Sequence, residues 1–155
     1  MRRPLKKKRT IMPDPKYGSV KVAGLIHYVM ERGKKNVART IVYQAFDEME
    51  KGLKKDPQLI FEEALQNVGP LTELRSRRVG GANYQIPQDV PANRRFMLAL
   101  RWILQAAKER KGMPMHKRLA LEIIDASKNE GAAVARRENT QKMAEANRAF
   151  AHLAW

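Results

Sequence analysis

Apolar residues recur at helical spacing along most of the chain, and the pattern breaks once, in the middle. From Ser19, which can serve as an N-cap, Val22, Leu25, Ile26 and Val29 repeat on one helical face until Gly33 stops the run. Asn36 can cap a second helix, with Val37, Ile41, Ala45 and Met49 spaced by four and Gly52 at its end. Asp56 followed by Pro57 puts proline at the first position of a third helix, whose apolar stripe is Ile60, Phe61, Ala64, Leu65 and Val68 before Gly69-Pro70. A fourth helix after Pro91 carries Phe96, Leu100, Ile103 and Ala107 on one face. Gly112, Met113 and Pro114 end it. Leu119, Ile123 and Ala126 mark a fifth helix ending near Gly131, and 132 to about 150 reads as a sixth, with Met143, Asn147 and Phe150 at helical spacing.

The break is the stretch 73–91, ELRSRRVGGANYQIPQDVP. Gly80 and Gly81 supply positive φ and Asn83 tolerates it, so the chemistry is that of a β-hairpin tip, with the hairpin at about 71–90. On the first strand Glu73, Arg75, Arg77 and Val79 face one way and Thr72, Leu74, Ser76 and Arg78 the other, so neither face is convincingly apolar. The second offers Tyr84, Ile86 and Val90 on one side, and Pro87 removes a ladder donor. At about 3.3 Å per residue over roughly seven residues, each strand is about 23 Å long, against a radius of gyration of about 15 Å for such a chain. The ribbon is expected to project as an arm with arginines near its tip. Tyr84 on it either stacks on a partner or covers the arm's base. The expected fold is mainly α: a single six-helix domain over 19–155 with a protruding β-hairpin arm, preceded by a disordered basic extension over 1–18.

Charge turns this scaffold toward a polyanion. Lys and Arg number 31 against 16 Asp and Glu, a net charge of +15, which makes nucleic acid the leading partner class. Arg2, Arg3, Lys6, Lys7, Lys8 and Arg9 precede the first acid, Asp14, in a segment with nothing to bury, and they read as an arm that orders on phosphates. On the fourth helix Arg94, Arg101 and Lys108 share the face opposite the apolar stripe. Their i+4 neighbours are Leu98, Gln105 and Gly112, so no acid on that helix balances them, and they are candidate phosphate contacts. Arg101 as an internal ion-pair partner is the alternative. Trp102 and Trp155 can stack on bases but more often belong to a core or its rim.

Other chemistry finds little support. Without cysteine there are no disulfides, thiolate metal sites or cysteine nucleophiles. No apolar run nears 18 residues and the basic start is not a secretory signal, so a soluble, cytoplasmic protein is expected. Gly33-Lys34-Lys35 fails as a nucleotide-binding loop, which would need glycine at Tyr28 and Ser or Thr at Lys35. His27, His116 and His152 lack metal-ligand spacing, Glu62 and Glu63 do not share a helical face, and no serine has a neighbouring base. Neither an enzyme nor a metal or cofactor is expected.

GKK at 33–35, RSRRVGGANYQIP at 75–87, LRW at 100–102 and MAEANRAFAH at 143–152 resemble, in the same order, bacterial ribosomal protein number seven of the small subunit. The likeness runs over nearly the whole chain. It implies six helices with a protruding hairpin, binding to the 3′ major domain of small-subunit ribosomal RNA, and a part in nucleating head assembly. It also implies a place near the messenger exit channel and the transfer-RNA exit site, among small-subunit proteins of the head and platform. On this resemblance Lys34, Lys35, Arg95, Arg136 and Arg137 join the tail cations, Arg94, Arg101 and Lys108 as candidate ribosomal-RNA contacts. Arg75, Arg77, Arg78, Gly80, Gly81, Asn83 and Tyr84 form the part of the hairpin near transfer RNA and messenger. Relatives commonly end AHYRW, whereas Leu153 and Ala154 precede Trp155 here, removing a cation and a phenol. Two other readings use the same basic surface: repression of the protein's own messenger, and binding to duplex DNA, for which no helix-turn-helix dimer signature is present.

Overall fold

The computed structural model describes residues 11–153. Arg2, Arg3, Lys6, Lys7, Lys8, Arg9 and Trp155 lie outside the described residues. Six α-helices and one hairpin follow in order: α1 (Val20–Val29), α2 (Lys35–Leu53), α3 (Pro57–Val68), β1 (Thr72–Val79), β2 (Ala82–Asp89), α4 (Ala92–Glu109), α5 (Met115–Ser127) and α6 (Ala132–Ala146), with a closing 3-10 turn over Arg148–Leu153. Among the described residues no helix is long and apolar enough to cross a membrane.

α5 is the hub, packing against α2, α3, α4 and α6. Its Leu119, Ala120, Ile123 and Ala126 are buried at i, i+1, i+4 and i+7, the stripe needed by a helix covered from several sides. α3 begins as its sequence requires, with the Asp56 carboxylate accepting from Gln58 N at 2.8 Å and Pro57 at the first helical position. All five residues of its expected stripe are buried.

α2 departs from the expected register. Lys34, not Asn36, is the N-cap residue, and Asn36 lies in the first turn with its carbonyl accepting from Thr40 Oγ1 at 3.1 Å. Val37 is 55% exposed, while Ala38, Val42, Ala45, Phe46 and Met49 face the core. A series spaced by four rotates about 40° per step around the helix, so one that starts at Val37 outside ends inside at Met49. Beyond Gly52 the helix ends on Lys54 at φ 52°. The sixth helix is also shorter than expected. It stops at Ala146, and the segment holding Phe150 tightens into the 3-10 turn, which packs on β2.

Packing begins upstream of the boundary expected at residue 19. Asp14 is 3% exposed. Its Oδ2 accepts from Lys16 N at 3.1 Å and Tyr17 N at 3.2 Å, and the Tyr43 hydroxyl donates to the same carboxylate at 2.9 Å. Tyr17 lies 5.1 Å from Phe46, ring to ring, and joins the core. Residues 14–18 therefore have something to bury after all. The signal was an aspartate before proline with an aromatic three residues on, an Asx-turn pattern that anchors a loop.

In the hairpin Thr72 pairs with Asp89 and the ladder runs to Val79 opposite Ala82. Gly80 and Gly81, at φ 58° and 89°, form a two-residue turn of the kind that needs positive φ twice. Asn83 is not part of that turn; it sits in the ladder opposite Arg78. Only the tip is open, with Arg78 and residues 80–83 exposed. Ile86 is wholly buried, β1 packs on α6, and Tyr84, in the third pair from the turn, stands 5.1 Å from Phe150, ring to ring, so it packs on the closing 3-10 turn well beyond the base of the arm.

Candidate nucleic-acid interface

α4 presents its basic residues as a row. Arg94, Arg101 and Lys108 are seven residues apart, so successive members are separated by about 10 Å along the axis. Their surroundings differ. Arg101 is exposed and has no hydrogen-bond or ion-pair partner among the described residues. Arg94 donates from Nε to Glu73 Oε2 at 3.2 Å, and the same carboxylate takes Arg75 Nε at 3.0 Å and Nη2 at 2.8 Å. Burial pushes the Glu73 carboxyl up, but the Arg75 and Arg94 hydrogen bonds outweigh it and hold the group below the usual carboxylate range. Lys108 pairs with Glu31, which follows α1. Neither acid is four residues from its cation. A helix's own sequence shows only i,i+4 partners, and these two come from other elements.

Beyond Lys108 the row opens onto a cleft of about 490 Å³ between the α1–α2 loop, α2, α4 and the start of α5. Val29, Val37, Ala38, Ile41, Leu104 and Met115 form its apolar lining, and Arg32, Lys34, Lys108 and Arg118 its basic one. Arg32 stands at φ 51° and Gly33 at φ 74°, which turns the chain sharply into α2. Lys34 is exposed, and its ammonium has no partner among the described residues, although its amide donates to Glu31 O at 3.0 Å. Lys35, also exposed, lines a separate cleft with His27 and Arg39. Arg32 and Arg118 were not anticipated. The available signal for Arg118 was the Gly112-Met113-Pro114 break, which folds α5 back so that Arg118 returns to the end of α4.

Three of the expected contacts have partners within the chain. Arg95 donates from Nε to Gly69 O at 3.0 Å and from Nη2 to Gln66 O at 3.2 Å, while Arg137 bonds Asn67 O. Together they cap the open carbonyls at the C-terminus of α3, where positive charge is favoured. Arg136 bonds Gln105, and its guanidinium lies 5.9 Å from the Trp102 ring centre. Trp102 is 8% exposed and belongs to the core, so it offers no stacking platform.

On the hairpin, Arg78, Gly80, Gly81 and Asn83 are exposed at the outer end, Arg77 is half-buried, and Arg75 is held by Glu73. Among the described residues no group of His, Asp or Glu is arranged to hold a metal ion. What the surface offers is a row of cations from the hairpin base along α4 to the cleft, with Arg101 and Lys34 open to an anion.

A sequence model of the family described as ribosomal protein S7p/S5e matches residues 1–148. The small ribosomal subunit protein uS7 of Dictyoglomus turgidum is 56% identical over 147 residues, covering 95% of this chain and 94% of its own. Those of Thermotoga maritima and Thermotoga neapolitana are 54% and 53% identical over 155 residues, the full length of both chains in each comparison. With matches of this extent, on a six-helix body bearing a two-stranded ribbon, the chain belongs to the ribosomal protein S7p/S5e family.

Proposed function

We propose that this chain is a structural constituent of the small ribosomal subunit that binds the 3′ major domain of the subunit's RNA and nucleates assembly of the head. Its outer hairpin then lies by the messenger exit channel and the transfer-RNA exit site. The observation that carries the RNA contact is Arg101, an exposed guanidinium without a protein partner in the middle of the α4 row. Such groups contact phosphates and set the register of a nucleic acid. Family membership supplies the ribosome, and the exposed Gly80-Gly81 turn supports a tip that approaches another surface closely.

Arg101→Glu is expected to weaken binding to a 3′ major domain fragment roughly ten- to a hundredfold, the range for a charged hydrogen bond of about 1.5–3 kcal/mol. Stability should change by no more than about 0.5 kcal/mol. A fall of several degrees in melting temperature with unchanged affinity would instead make Arg101 an internal structural residue. Chemical footprinting of the fragment with and without the protein, beside competition by duplex DNA at the same salt, tests the assignment as a whole.

Removing residues 1–10 should flatten the dependence of log affinity on log salt by up to about four units, from six cations at roughly 0.7 each. A truncated protein with the full-length slope would take the tail out of the interface.

A further inference from the structure

The cleft at the end of α4 has one acid in its lining. Arg32, Lys34, Lys108 and Arg118 bring four positive charges, and Glu31 alone opposes them. Arg118 donates from Nη1 to Arg110 O at 2.9 Å, and the four cations around one opening repel each other, which an anion among them relieves. Glu31 supplies it by pairing with Lys108 across 77 residues of sequence. Its side chain is 69% exposed, so it belongs to no core. Lys108 holds the Glu31 carboxyl below the usual carboxylate range, first through their hydrogen bond.

We propose that the mouth of this cleft is a phosphate site, lined by Arg32, Lys34, Lys108 and Arg118, and that the Glu31 carboxylate occupies it in the free protein. RNA docking exchanges that carboxylate for a backbone phosphate. The proposal rests on the RNA-binding reading and deepens it. Lys108 is thereby shielded until a phosphate arrives in the right place, whereas Arg101 is open from the outset. A polyanion touching only Arg101 leaves the Glu31–Lys108 pair in place.

Four proteins test the exchange: the full chain, Glu31→Gln, Lys108→Gln and the double variant, each titrated with a 3′ major domain RNA fragment over a salt series. Glu31→Gln should tighten binding by roughly two- to fivefold near 0.1 M salt, the worth of an exposed pair. It should also steepen the log-log salt slope by about 0.7, one further phosphate contact. Both gains should vanish in the Lys108→Gln background. Glu50→Gln, which removes an exposed acid from the far half of α2, controls for net charge. No tightening by Glu31→Gln, a gain that persists without Lys108, or an equal gain from Glu50→Gln would each overturn the proposal. Failure of the RNA reading looks different: the full chain would then hold the fragment no better than duplex DNA of equal length. In that event the same four-protein cycle run on the duplex still decides whether Glu31 and a phosphate compete for Lys108.

Discussion

Replacing Glu122 by alanine is expected to lower stability by about 3–5 kcal/mol, from the loss of its charge-assisted bonds to Arg110 and from a buried Ala133 amide left without an acceptor. Glu122 is wholly buried on α5, the hub helix. Its Oε2 accepts from Arg110 Nε at 2.9 Å and Nη2 at 2.6 Å, and its Oε1 accepts from Ala133 N at 3.0 Å. Ala133 is the second residue of α6, and the N-cap of that helix is Gly131, which has no side chain to satisfy the first turn. Glu122 therefore caps α6 from a neighbouring helix while neutralising Arg110. Asp125 takes the same guanidinium. Burial presses the Arg110 charge down, but its hydrogen bonds to Asp125 and Glu122 raise its pKa on balance. Gly131 stands at φ 94°, and a Cβ there would come within 3.1 Å of Glu122 Oε1, so the approach needs a glycine. At roughly 2–4 °C per kcal/mol for a chain of this size, the melting temperature of Glu122→Ala should fall by about 6–20 °C. A double replacement, Arg110→Met with Glu122→Leu, should recover part of the loss, because no fully buried charge remains and Asp125, one-third exposed, stays in contact with water. A thermal shift under about 2 °C for Glu122→Ala would mean that water enters and solvates the pair.

The second large effect separates the two halves of the hairpin. Ile86 is wholly buried where β2 crosses the body, and Ile86→Ala should cost about 2–5 kcal/mol, as for other large-to-small changes in a packed core. Amide exchange of β1 and β2 should accelerate as the ribbon loosens from α6 and the 3-10 turn. Exchanging residues 78–83 for Asn-Gly keeps the Arg77–Tyr84 pair and the Tyr84–Phe150 contact, and should leave melting and ribosomal-RNA affinity near those of the full chain. Subunits carrying the shortened tip should still assemble but retain deacylated transfer RNA poorly at the exit site. If the shortened tip unfolds the protein while Ile86→Ala leaves the strand amides protected, the hairpin's anchorage lies at its tip and not its base.

Local signals in the sequence located every α-helix among the described residues, though not the register of α2 or the closing 3-10 turn. They also failed where the determining contact came from far along the chain. Asp56-Pro57 started α3 because cap and proline act on the next three residues, and Gly80-Gly81 closed the hairpin for the same reason. α6 was harder to bound. Its buried residues are Ala133, Val134 and Ala144, small side chains that permit close packing but leave a weak apolar signal. In the interface, the row on α4 was legible from its spacing. Its partners were not: Glu31 and Glu73 reach Lys108 and Arg94 across 77 and 21 residues. The carbonyl partners of Arg95 and Arg137 were equally opaque, because nothing in the adjacent sequence marks an arginine that reaches the end of another helix.

The Asp14 anchor has a consequence for the cations upstream of it. Because its carboxylate is bound by two backbone amides and the Tyr43 hydroxyl, Asp14 is a fixed root beside α2 to which the upstream cations are tethered by sequence. Arg2, the farthest of the six cations, is twelve residues from Asp14, and at no more than about 3.6 Å each these reach at most about 43 Å from that root. If the tail cations bind RNA as proposed, a docked body confines all six to this radius on the same RNA, and their binding is intramolecular, at an effective concentration in the millimolar range. A tail too weak to hold RNA by itself would act as a second attachment that slows dissociation, and Tyr43→Phe, by loosening the root, would shorten the residence time more than it slows association.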